Sequence, residues 1–122
     1  MAYLRTPQGA PRRKPDRSVS SLLAALGDGT RRDIVERLRG GPRTVGELSD
    51  LLPVSRPAVS QHLKVLRDAG VVTETRYGVR HYFALDATAL DRVRCHFESL
   101  WQDVLLSFAN YVREVEGERK KK

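Results

Sequence analysis

A chain of 122 residues is sized for one domain that buries about two-thirds of its extended surface, so it needs no disulfide framework, and its single cysteine, Cys95, excludes an intramolecular one. Lys and Arg outnumber Asp and Glu 22 to 15, a formal charge of +7, which points to an anionic partner, nucleic acid before membrane. No stretch approaches the ~20 apolar residues of a bilayer span, and the opening MAYLRTPQGAPRRKPDR lacks the apolar run of a signal peptide; no membrane partner is expected, and the location expected is cytoplasmic.

Residues 1–17 hold three of the six prolines and five Lys or Arg against one Asp, with no helical periodicity. They cannot bury enough apolar surface to order themselves and are predicted as a disordered basic arm. Residues 18–115 carry the periodic pattern of the folded domain. Val19, Leu22, Leu23 and Leu26 give a first amphipathic helix stopped by Gly27. Ile34, Val35 and Leu38 give a second, begun near Asp28 to Thr30 and ended by Gly40-Gly41. Arg31 and Arg32 open that helix and are read either as phosphate contacts or as ion-pair partners of Asp28 or Glu36.

The stretch TVGELSDLL begins a third helix with Thr44 three residues before Glu47, the capping-box spacing, and Val45, Leu48, Leu51 and Leu52 as its buried stripe. In the fourth, Ser55 is an apt N-cap, Pro57 sits in the first turn and Gly70 ends it. Val59, Leu63 and Leu66 share one face of this helix, while Arg56, Pro57, Ser60, Gln61 and Lys64 gather on the other. His62 falls between the faces, within reach of a phosphate. From Val71 the run VVTETRYGVRHYFAL turns to β-branched and aromatic residues around Gly78, a β-hairpin with Arg76, Tyr77 and Arg80 about its tip. Helical spacing then returns from Asp86 and lasts about seven turns, and the charged residues 116–122 are predicted to fray as a disordered tail.

The fold class is therefore mostly α with a small β-hairpin (α+β): a winged helix-turn-helix of four helices, a hairpin wing and a long fifth helix. In that arrangement the second helix of the pair enters the major groove and the wing leans on the backbone or minor groove. The expected partner is double-stranded DNA, contacted by Ser55, Arg56, Pro57, Ser60, Gln61, Lys64, Arg76, Tyr77 and Arg80. Arg and Lys pair with guanine, Gln with adenine, and Ser with either. The three histidines stand beside no activated nucleophile, no phosphate-cradling glycine loop and no H-E-x-x-H run, so no enzyme is expected.

LLAALGDGTRRDIVERLRGG, TVGELSDLLPVSRPAVSQHLKVLRDAGVV and RYGVRHYFAL together resemble successive signatures of the ArsR family of bacterial transcriptional repressors, from Val19 to about Trp101. The resemblance implies homodimers that occlude promoters and often release DNA on binding a metal. The family's Cys-x-Cys sensing site, flanked by Glu-Leu and Asp-Leu, is replaced here by Glu47-Leu48-Ser49-Asp50-Leu51-Leu52, and Asp91-Arg92-Val93 lacks the Asp-x-His pattern of the other common site. Cys95 and His96 are adjacent, about 100° apart on a helix, and cannot face one ion within a single chain. No metal and no cofactor are expected, and the chain is similar to the metal-independent branch of the family.

Cys95 reads as a half-buried small apolar residue. A homodimer is expected through Leu22, Leu90, Val93, Phe97, Leu100, Trp101, Val104, Leu105 and Phe108, which exceed what one small core can cover. Two alternatives stay open: a repressor released by a metal, thiol reagent or small molecule, and a winged helix serving as a protein-interaction module. The latter would need an apolar recognition surface.

Overall fold

A computed structural model describes residues 18–121 in the order α1 (Val19–Ala25), α2 (Gly29–Arg37), a 3₁₀ turn (Leu38–Gly40), α3 (Val45–Leu51), α4 (Arg56–Ala69), β1 (Val72–Tyr77), β2 (Arg80–Leu85) and α5 (Ala87–Lys121). The basic arm 1–17 and Lys122 lie outside the described residues.

Side-chain caps set most of these boundaries. The Asp28 carboxylate accepts from the backbone N–H of Arg31 at 3.0 Å, and Ser55 Oγ from that of Ala58 at 3.3 Å. Thr44 and Glu47 form the reciprocal capping box, at 3.1 and 2.9 Å. Each such cap contributes about 1 kcal/mol. Gly70, at φ 88°, closes α4 in the left-handed region and turns the chain directly into the hairpin.

The core lies where α1, α2 and α3 surround α4. Ile34, Leu48, Val59, Leu63 and Leu66 are at most 1% exposed, and no polar or charged side chain among the described residues is buried with them. Val71, Val72 and Phe83 close the core from the hairpin side. The strands pair antiparallel with Tyr77 opposite Arg80, and Gly78, at φ 63°, makes the two-residue turn. A third segment, missed by local patterning, joins this sheet: Arg43 and Phe83 exchange backbone hydrogen bonds at 3.0 and 2.8 Å. That bridge ties the segment before α3 to β2 and anchors the wing beside the helix-turn-helix.

Four expectations are corrected. Leu22, expected in a dimer seam, is 1% exposed inside the protomer's own core, because the seven-residue α1 must spend its inner face on α4. Leu51 is exposed at the rim; Leu52, already extended at φ −124° and ψ 149°, turns inward in its place. Cys95 is exposed rather than half-buried, since it sits about 160° around α5 from Val93, which packs on the core. The tail expected to fray from residue 116 instead continues α5 to Lys121. Glu116 and Lys120 stand at the favourable i, i+4 spacing, and Lys120 lies in the last turn, at the negative end of the helix dipole.

Candidate nucleic-acid interface

The chain runs from α3 through Leu52 to Ser55 into α4, and this tight connection presents the start of α4 to solvent. Ser55, Arg56, Pro57, Ser60, Gln61 and Lys64 are all exposed, on the side opposite buried Val59, Leu63 and Leu66. Lys64 Nζ lies 3.4 Å from Asp68 Oδ2, one turn on, an exposed pair that a phosphate or base can displace at little cost. Arg56 folds back across α3: a Cβ placed on Gly46 would come within 2.5 Å of its guanidinium. Gly46 has no positive φ to explain it, so its missing side chain makes room for Arg56. A glycine inside a capped helix was the only signal of this in the sequence.

Three other basic groups near α4 are structural. Arg31 Nε donates to the carbonyl of Ala25 at 2.6 Å and Arg32 to that of Leu26 at 3.0 Å, so both close the end of α1. Of the two readings of that pair, the ion pairing with Asp28 is present for Arg31, whose charge acts on that carboxylate as well, while Arg32 is held by a carbonyl. His62 is drawn into the joint between α2 and α4, 3.8 Å from Asp28 and 3.4 Å from Arg31. The Asp28 carboxyl is held below the ordinary carboxylate range, first by the Arg31 backbone N–H and then by the charges of Arg31 and His62.

The alternation of the hairpin sorts the wing residues onto two faces. Tyr77 and Arg80 share the outer face with Tyr82, whose ring meets that of Tyr77 edge-on at 5.8 Å. Arg76 stands on the inner face with Glu74 and His81. There Arg67 of α4 pairs with Glu74 at 2.8 Å, His81 Nδ1 bonds the other Glu74 oxygen, and Arg76 Nε donates to His81 Nε2 at 3.2 Å. The Glu74 carboxyl is therefore held below its ordinary value, chiefly by His81 and then by Arg67. Between wing and helix-turn-helix lies an open cleft of about 580 Å³, lined among others by Glu47, Asp50, Arg56, Arg80 and His81.

The donor set does not fit the metal sites that the resemblance brings to mind. Glu47 is spent on the cap of α3, Asp91 is paired with Arg94 at 2.7 Å, and no thiol stands on α3. Among the described residues no three His, Cys, Asp or Glu side chains gather as a metal-binding group, and no helix there is long and apolar enough to cross a membrane.

A helix-turn-helix with a polar, cationic second helix and a hairpin wing beside it defines a DNA-binding transcriptional regulator rather than an enzyme. Residues 28–74 match the family described as "Bacterial regulatory protein, arsR family". The chain is 49% identical over 100 residues to the HTH-type transcriptional regulator Rv2034 of Mycobacterium tuberculosis (strain ATCC 25618 / H37Rv), covering 82% of this chain and 90% of that protein. It is 35% identical over 72 residues to the transcriptional repressor SdpR of Bacillus subtilis (strain 168), covering 59% and 80%. Among solved structures, an ArsR-like transcriptional regulator from Rhodococcus sp. RHA1 superposes with a TM-score of 0.69 at 27% identity, over 75% of this chain and 86% of that one. The chain belongs to the arsR family.

Proposed function

We propose that this regulator is a homodimeric repressor that reads an inverted-repeat operator through α4 and braces on the flanking backbone with its wing, in the cytoplasm and without a bound metal. The observation that carries the proposal is the division of α4: a buried apolar stripe on one side and, on the other, Arg56, Ser60, Gln61 and Lys64 exposed over its first turns. These side chains supply the donors and acceptors that distinguish base pairs in the major groove. Arg76 on the inner face of the wing and Tyr77 and Arg80 on its outer face are the residues assigned to the flanking backbone, and bound across a promoter such a dimer blocks polymerase. The absence of thiols on α3 supports a metal-independent repressor.

Gln61→Ala and Lys64→Ala test the assignment. Each is expected to weaken binding to a duplex enriched from a random pool by about 1–3 kcal/mol and to relax preference at one or two positions. Wild-type affinity and preference in both variants would show that α4 does not read the bases.

A further inference from the structure

The inner face of the wing holds a hydrogen-bonded chain whose direction depends on one proton. Arg76 Nε–H can only donate, and it points at His81 Nε2 from 3.2 Å, so that nitrogen accepts and carries no hydrogen. The ring hydrogen then sits on Nδ1 and is donated to Glu74, which Arg67 of α4 holds from the other side at 2.8 Å. Neutral His81 thus ties down Arg76, a residue assigned above to the DNA-facing wing. Protonation at Nε2 by solvent converts the acceptor into a donor and sets two cations against each other. His81⁺ keeps its bond to Glu74, and Arg76 has to leave.

We propose that His81 is a positioning residue for Arg76, and that its protonation releases the Arg76 guanidinium to a DNA phosphate, so that DNA affinity is higher at mildly acidic than at mildly alkaline pH. The proposal rests on the reading of the wing as a DNA contact. The groups that face His81 are Glu74 and Arg76 across the hairpin, Arg67 behind Glu74, Arg80 beside it, and Glu47, Asp50 and Arg56 across the cleft. Of these the arginines keep their charge on acidification, and the Glu74 carboxyl is held below its ordinary value by His81 and Arg67. The sign follows from linkage: the bound state, with phosphate near, holds the His81 proton more tightly than the free state, so proton uptake accompanies binding.

The test compares affinity for one duplex, enriched from a random pool by the wild-type protein, at about pH 7.5 and about pH 5.5, with folding of every variant checked by circular dichroism. Binding is expected to be about fivefold tighter at the lower pH, with a salt slope steeper by about one phosphate. His81→Gln is expected to abolish the pH effect, and His62→Gln to leave it intact. Arg76→Gln should weaken binding at both pH values, and more at about pH 5.5 than at about pH 7.5. A flat wild-type profile, or a full pH effect surviving in His81→Gln or Arg76→Gln, overturns the switch. Equal loss in Arg76→Gln at both pH values keeps the wing contact and sinks only the switch; no loss at either pH sinks the wing contact itself.

Discussion

At the scale of single residues, Gly46 and Arg56 show how a recognition side chain is placed by an absence. A methyl group at Gly46 would stand 2.5 Å from the Arg56 guanidinium, and the flexible far end of the arginine, not the helix, would give way. Gly46→Ala is thus expected to leave stability unchanged or raise it by up to about 1 kcal/mol, as alanine suits a helix better than glycine. DNA affinity should nonetheless shift by about 1–3 kcal/mol, the range for a base-reading arginine. Made in an Arg56→Ala background, the same change should have no further effect on binding. Additive losses, measured by anisotropy titration of both single variants and the double, would mean that Gly46 acts elsewhere. The exposed polar residues of α4 were legible in the sequence because a 3.6-residue period assigns faces without knowledge of neighbours. The fold-back of Arg56, the carbonyl caps made by Arg31 and Arg32, and the burial of Leu22 were not, because each depends on which other helix lies opposite.

At the scale of elements, the wing and α4 are joined by Arg67, Glu74 and His81 rather than by packing alone. The folded-state pKa of Glu74 lies below its ordinary value of 4.5, so the native protein binds fewer protons there than the unfolded chain does. Its contribution is fully present above about pH 4.5 and is lost as pH falls through the depressed folded value. Glu74→Gln should therefore cost about 0.5–1 kcal/mol at neutral pH, as the pairs are partly exposed. The difference from wild type should shrink in melts taken below about pH 4. A difference that stays constant with pH would assign the cost to packing. The caps of α2, α3 and α4 and the turn at Gly78 could be read in advance, because Asp28, Thr44, Ser55 and Gly78 act within four residues of themselves. The Arg43–Phe83 bridge spans forty positions of sequence and leaves no local pattern to detect. On α3 the missing thiols lead to a further expectation. Zn(II), Cd(II), Cu(I) or As(III) at low micromolar concentration should change DNA affinity by less than about 0.5 kcal/mol, below the 1–3 kcal/mol usual for allosteric coupling. Stoichiometric release of DNA by any of them would reject metal independence.

At the scale of the whole molecule, α5 is the outlier: 35 residues, about 52 Å long, packed against α1, with its core-packed residues Ala89 and Val93 near its start. Leu90 and Val93 lie at that start, Val93 packed on the core. Beyond them Phe97, Leu100, Trp101, Val104, Leu105, Phe108, Tyr111, Val112 and Val115 remain exposed, Trp101 at 58% and Phe108 at 63%. At about 100° per residue they fall within one arc roughly 140° wide, with exposed Leu106 on the opposite side. So broad an exposed apolar face calls for a partner, and the homodimer proposed above would supply it as a two-fold copy of the same face. Leu100→Glu or Leu105→Glu should lower the mass in sedimentation toward the 13.8 kDa monomer and weaken specific binding, while salt-sensitive non-specific binding survives. A variant that stays dimeric with a charge at both positions would place the seam elsewhere. The periodicity of α5 was evident in the sequence, but its length was not. Residues 116–121 look like a frayed charged tail until the helix that precedes them is seen to carry through.

If paired α4 helices read a two-fold DNA site, selection from a random duplex pool with the purified wild-type protein, followed by sequencing, will recover an inverted repeat whose half-site centres lie about one turn, 10–10.5 base pairs, or a multiple of it apart. Recovery of no motif, or of a single unrepeated half-site bound tightly by a monomer, would contradict that reading.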